Sequence, residues 1–229
     1  MLPIKDDAPR STTPYVNYFL IGLNVFVFLF EYALSSRELR ALVGHFGFVP
    51  IQVTRWLQGE VPADVAIVPV FTSMFLHGGW LHVIFNMWAL AIFGDNLEDR
   101  LGHFRYLLFY FASGIGADLV HYVFNSTSAV PSVGASGAIA GVMGAYFVLF
   151  PSARVLTWVF VTVIQLPAWL VLGYWFLAQL LSGAATAIAY SHETGGRVAV
   201  WAHVGGFITG VILIKLFPLR PTYYSYEPN

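Results

Sequence analysis

Charged and apolar positions along this chain are segregated rather than interleaved. Ser11–Phe30 holds no Asp, Glu, Lys or Arg, and neither do Val65–Gly94, Tyr106–Ala117 or Val198–Ile214. The longest such runs are Leu119–Ala153 and Val155–His192. A helix on the surface of a soluble domain shows one apolar stripe and one polar face. Runs this long and this free of charge instead suit a hydrocarbon layer, which takes about 20 mostly apolar residues to cross. The pattern predicts an all-α polytopic membrane protein with six transmembrane helices, at about 14–34, 80–97, 104–123, 135–151, 168–189 and 199–217. No internal repeat and no low-complexity stretch interrupts it, so residues 1–229 read as a single membrane domain.

The charges left over sit in the connections and set an expected orientation. With the N-terminus cytoplasmic, the inner side carries Lys5, Arg10, Arg100, Arg105, Arg154, Lys215 and Arg220, and the outer side Arg37, Arg40, Arg55 and Arg197. The excess inside predicts cytoplasmic N- and C-termini and a multi-pass protein of the cell membrane. The long outer connection, about 35–79, is rich in Gly, Pro and Trp and apolar enough to lie partly in the membrane interface. The first span also has basic residues ahead of it, as a signal peptide does, but it is long for one and no Ala-x-Ala site follows. The tails, about Met1–Thr13 and Pro218–Asn229, are expected to hold no regulatory domain.

Composition agrees and narrows the chemistry. Apolar residues make up 58% of the chain and charged residues 10%, with a net charge of −1. That excludes a disordered chain and leaves no basic stripe for nucleic acid. Zero cysteines exclude disulfides, thiolate metal ligands and a cysteine nucleophile. No cofactor or metal is expected.

Polar groups at membrane depth are costly, so each is a candidate for chemistry. His82 and Asn86 are four apart, on one face of the second span, with His77 near its start. The fourth span opens with Gly134-Ala135-Ser136-Gly137, and the sixth carries Ala202-His203-Val204-Gly205-Gly206. The third holds Asp118 and His121. A serine hydroxyl needs a base within hydrogen-bond reach, and a neutral imidazole can take its proton and return it to a leaving amine. His203 is a candidate base for Ser136. Backbone N–H groups at the start of the fourth helix, with His82 and Asn86 opposite, could hold an oxyanion. Gly137 and Gly141, and Ala202, Gly206 and Gly210, form small-residue stripes that let membrane helices approach closely. Packing the two stripes together would bring hydroxyl and imidazole to one contact.

Each signal also has an ordinary structural reading. A membrane serine commonly bonds its own helix. A membrane histidine serves helix contacts or ion paths, and GxxxG is a general packing motif. The joint occurrence in one small chain is what points to acyl transfer.

In these segments the sequence resembles the rhomboid family of intramembrane serine proteases. Gly134-Ala135-Ser136-Gly137 fits the family's GxSG motif, and Ala202 to Gly210 fits AHxxGxxxG. His77 to Asn86 fits HxxxxHxxxN, and Phe93 to Gly102 resembles the connection between the second and third spans. The likeness runs from about Pro14 to Phe217. It implies a six-helix fold with a water-filled cavity opening outward, and cleavage of transmembrane protein substrates near the membrane surface. By position, Ser136 would be the nucleophile and His203 the base. His82, Asn86 and the Ser136 N–H would form the oxyanion hole, with the fifth span flanking the substrate's approach.

Two departures stand out. Where many members have Trp-Arg ahead of the second span, this chain has Val68 and Pro69, which leaves the anchoring of its first loop open. Where some have an aromatic residue packing on the base, it has Ala140, so support for His203 must come from elsewhere, with Tyr146, Trp201 and Phe207 as candidates. Asp118 reads as a cavity-facing carboxyl rather than a third triad member, and His121 and His192 as rim residues. Two other functions compete: a proton-coupled transporter using Asp118 and the histidines, and a non-catalytic rhomboid-like protein that binds membrane clients. The second is disfavoured by the presence of both Ser136 and His203.

Overall fold

The computed structural model describes residues 1–189 and 200–221. His192 and Arg197 lie outside the described residues. A strand, β1 (Leu2–Asp6), precedes α1 (Tyr15–Ala33). Three short helices follow: α2 (Ser36–Phe46), α3 (Pro50–Leu57) and α4 (Ala63–Thr72), the last running into a 3-10 turn at Ser73–Phe75. Then come α5 (Trp80–Leu101), α6 (His103–Asn125) and α7 (Ser136–Leu149). A hairpin of β2 (Arg154–Val159) and β3 (Thr162–Pro167) leads to α8 (Ala168–Ala189) and α9 (Val200–Leu213).

Helices α1, α5, α6, α7, α8 and α9 occupy the six segments expected from the charge gaps, within a few residues. The chain therefore has a polytopic helical fold. Three helices, α1, α6 and α8, are individually long and apolar enough to cross a bilayer; α4 with its turn and α5 add a fourth if taken as one span bent by 79°. Helices α7 and α9 have 14 residues each. At 1.5 Å per residue that is roughly 21 Å, short of a hydrocarbon core of about 30 Å.

These two short helices form the centre. Every residue of α7 from Gly137 to Tyr146 is buried. A Cβ at Gly206 would overlap the carbonyl oxygen of Gly137, one at Gly210 the carbonyl of Gly141, and one at Gly144 the carbonyl of Phe207. Backbone lies directly on backbone, so the small-residue stripes of α7 and α9 do pack together. On its other side α7 meets α6, where a Cβ at Gly141 would overlap Ser113.

The connection between α1 and α5 is more ordered than a loop. Ser35 and Glu38 form a reciprocal capping box that starts α2. Its anchors are specific: Thr72 Oγ1 donates to the Phe46 carbonyl at 2.7 Å, and Thr54 Oγ1 to that of Ser126 at 2.8 Å. Ile51 N–H donates to the Ser128 carbonyl at 2.9 Å, and Phe48 bridges Ser132. Backbone and hydroxyl bonds to the segment after α6 thus hold this region, and Val68 and Pro69 need not do so.

The antiparallel sheet, in the order β1-β2-β3, is an element the helical reading lacked. Strands of five or six residues vanish inside charge-free runs when hydropathy is averaged over a span. The cue was the β-branched run Val155 to Leu166, which favours a pleated strand over a helix.

Around it the chain's start is tied to α5. Asp99 accepts from Ser11 Oγ at 2.9 Å, Thr12 N–H at 2.8 Å and Thr12 Oγ1 at 2.6 Å. Buried Glu98 accepts from the N–H groups of Val16 and Asn17, at 3.0 and 2.7 Å, and from His103 Nδ1. The carboxylate thus serves donors that the first turn of α1 leaves without partners. Asn17 in turn accepts from Tyr106 Oη at 2.7 Å.

Candidate active site

Ser136 is the first residue of α7. The preceding Gly134 has φ of +131°, a region L side chains seldom adopt, and its N–H donates to the Ser73 carbonyl at 2.9 Å. That turn leaves Ser136 at a helix start, where backbone N–H groups have no intrahelical acceptor.

His203 lies on α9, across the glycine seam. Its Nε2 is 2.7 Å from Ser136 Oγ. Its Nδ1 is 3.0 Å from Gln179 Oε1 on α8. The two contacts are mutually consistent. Nδ1–H donates to the amide oxygen, which leaves the Nε2 lone pair to accept from the serine hydroxyl. Trp175, one turn before Gln179, places its ring 5.9 Å from the imidazole, inclined by 41°. The support that Ala140 cannot give therefore comes from α8. The three aromatic candidates serve elsewhere: Tyr146 donates to Asp6 at the other end of α7, Trp201 stacks on Phe124, and Phe207 packs on Phe176. The rule that singled out Ser136 and His203 also applies to Gln179, an amide in a charge-free span, and so could have found it.

His82 faces the same point from α5. A Cβ at Gly134 would sit 2.7 Å from its Cε1 and Nε2, and 3.5 Å from Ser136 Oγ. Its Nδ1 accepts from Gly78 N–H at 3.3 Å, so the neutral ring carries its proton on Nε2, the nitrogen beside Gly134. Asn86 is one turn further along α5 and 7% exposed. Its Nδ2 has no hydrogen-bond partner among the described residues. An unpaired buried donor is costly in a folded protein, so a site that receives negative charge is one reason to keep it.

A small, partly open recess of about 20 Å³ adjoins the serine, lined by Ser73, Asp118, Ser132, Gly134 and Ser136 among others. Asp118 contributes a carboxyl oxygen that is buried and unpaired among the described residues. It makes no hydrogen bond to His203, whose Nδ1 is taken by Gln179. His121 packs against Phe48 near the end of α6. Among the described residues no group of three His, Asp or Glu side chains could hold a metal ion.

The family model of the rhomboid domain matches the chain over residues 66–219. The chain is 34% identical to RHOMBOID-like protein 1 of Arabidopsis thaliana over 82% of its own length and 48% of that protein's. It is 27% identical to the chloroplastic Rhomboid-like protein 11 of the same plant, over 95% of its length and 71% of the relative's. With the mitochondrial Rhomboid protein 1 of Saccharomyces cerevisiae it shares 33% identity, over 63% and 40% respectively. It thus spans less than half the length of the first and third of these relatives. The matched region takes in α5 to α9, with Ser136, His203, His82 and Asn86, and on that extent the chain belongs to the rhomboid family.

Proposed function

We propose that this chain is an intramembrane serine endopeptidase that cleaves transmembrane protein substrates with a Ser136–His203 dyad. The observation that carries the reading is the 2.7 Å contact between Ser136 Oγ and His203 Nε2 at the start of α7. His203 removes the hydroxyl proton as Oγ attacks the scissile carbonyl carbon. The resulting oxyanion is held by the Ser136 N–H, His82 Nε2–H and Asn86 Nδ2–H. Collapse of the tetrahedral intermediate expels the amine, which takes the proton from Nε2. A water activated by the same ring then hydrolyses the acyl-enzyme. Gln179 keeps the ring in the tautomer both steps need.

A peptide bond inside a helix is shielded by its own hydrogen bonds, so the favoured substrate is a single-span protein with helix-breaking residues near the cut. On the Lys/Arg distribution, the protein lies in the cell membrane with both termini cytoplasmic, and the serine end faces outward.

The test is cleavage of a labelled single-span protein by the purified chain in liposomes. Ser136→Ala and His203→Ala are each expected to abolish it, while Asp118→Asn retains it. A wild-type chain that cleaves no member of a broad panel, and whose Ser136 is not labelled by a fluorophosphonate, refutes the reading. Proton flux lost in Asp118→Asn but kept in Ser136→Ala would point to transport instead.

A further inference from the structure

The first residues of the chain provide a depth scale along α5. Thr12 meets Asp99, Ala8 meets Asn96, and Pro3 meets Trp88, whose Nε1–H donates to the Pro3 carbonyl at 2.7 Å. From Asp99 back to Trp88 an α-helix climbs roughly 16 Å. Asp95, Glu98, Asp99 and Arg100 form the charged end of α5, whereas Trp80 to Gly94 carries no charge. Strand β1 therefore runs from the charged edge towards the apolar middle of the helix.

The hairpin follows it. Asp6 pairs with Val155 and Leu2 with Trp158, so β2 travels back to the Trp88 level, and the turn at Phe160 and Val161 projects beyond. Phe160 is 95% exposed and Val161 96%. Trp158, Val163 and Ile164 are also bare. No charged residue occurs from Val155 to His192. This surface joins that of α5, where Ile84, Phe85 and Trp88 are likewise exposed and apolar. Trp169, 51% exposed at the start of α8 beside the Arg154–Pro167 end of the hairpin, supplies an amphipathic ring of the kind common at a membrane boundary.

We propose that the β2–β3 hairpin is a lipid-binding finger, set into the bilayer leaflet on the Asp95–Arg100 side of the protein. The occupant is lipid because the patch is free of charge and lies, across β1, beside the exposed apolar residues of a helix of the polytopic fold. The outer edge of β3 is unpaired among the described residues. An open edge finds partners among headgroups and interfacial water, so the Arg154–Pro167 end of the strands lies at the headgroup–acyl boundary and the tip reaches below it into the leaflet. This proposal does not depend on the catalytic reading.

The chain has no cysteine, so Phe160→Cys gives a single thiol for an environment-sensitive dye. The labelled protein is reconstituted in phosphatidylcholine–phosphatidylglycerol vesicles with and without brominated acyl chains. Blue-shifted emission, quenched by bromolipid and spared by aqueous iodide, is the expected result. Adding Val161→Asp, at a tip that packs against nothing, should shift the emission to the red and remove the bromolipid quenching. Water-like emission quenched by iodide overturns the proposal. So does shielding from both quenchers with energy transfer between labelled chains, which would assign the hairpin to a second copy.

Discussion

The carboxyl groups at the two ends of this molecule are served in opposite ways. At the charged end of α5, Glu98 and Asp99 each accept three hydrogen bonds from different groups, and Asn17 donates to Leu90 while accepting from Tyr106. At the serine end, Asn86 Nδ2, one Asp118 carboxyl oxygen and His77 Nε2 have no partner among the described residues. Saturated groups stabilise one arrangement of the chain. Unsatisfied groups cost stability, and are retained where an incoming charge or water completes them. Asn96 Oδ1 and Arg100 Nε are unpaired among the described residues at the charged end too, so the contrast lies between its saturated carboxylates and the open groups around the serine.

Asn86→Ala should sharpen this contrast most. Cleavage by the folded protein is expected to fall by roughly 10²–10³ in kcat, the usual loss for an oxyanion donor. Thermal unfolding should barely change, because Asn86 Nδ2 makes no hydrogen bond among the described residues. Glu98→Ala should do the reverse. It strands the N–H groups of Val16 and Asn17 and costs about 3 kcal/mol, read as a lowered unfolding midpoint, while the protein that remains folded cleaves normally. A Glu98 variant with full stability and poor turnover would break the division.

Gln179 tests the serine end more gently. Gln179→Leu is expected to reduce kcat about tenfold with KM unchanged, since a base of unfixed tautomer is less often ready. Gln179→Glu should restore turnover and move the acidic limb of the pH–rate profile to higher pH. That rescue requires Nδ1 to be the donor, as the contact with Oε1 implies.

The smallest effect belongs to the sheet. Burial raises the Asp6 carboxyl from 3.8 to about 6, against the opposing hydrogen bond from Tyr146, with Asp95 and Asp7 adding repulsion. The folded state thus favours the protonated form. Its contribution to docking of β1 is fully present below about pH 4 and is lost as pH rises through about 6. Protection of the β1 amides from hydrogen exchange, corrected for intrinsic rate, should decline over that window. Asp6→Asn should flatten the profile.

Much of this was legible in the sequence. Charge gaps located six helices because charge is excluded from hydrocarbon. Ser136, His203, His82 and Asn86 were visible as exceptions within those gaps, and the structure brings Ser136, His203 and His82 to one point, with Asn86 a turn away. Gln179 went unnoticed because a neutral amide disturbs hydropathy little and its partner lies on another helix. The sheet went unnoticed because a six-residue apolar strand and part of an apolar helix look alike until pairing partners as distant as Leu2 and Trp158 are known.

The seam between α7 and α9 has a thermodynamic consequence. Where glycine backbone rests on glycine backbone, no rotamers are frozen when the helices meet, and a buried side chain's entropy cost of up to about 2 kcal/mol does not arise. The distance between Ser136 and His203 is then set by two main chains that have no looser packing to relax into. Warming should leave that distance almost unchanged until the helices part. Activity should end in a single step at unfolding rather than fade as side chains loosen.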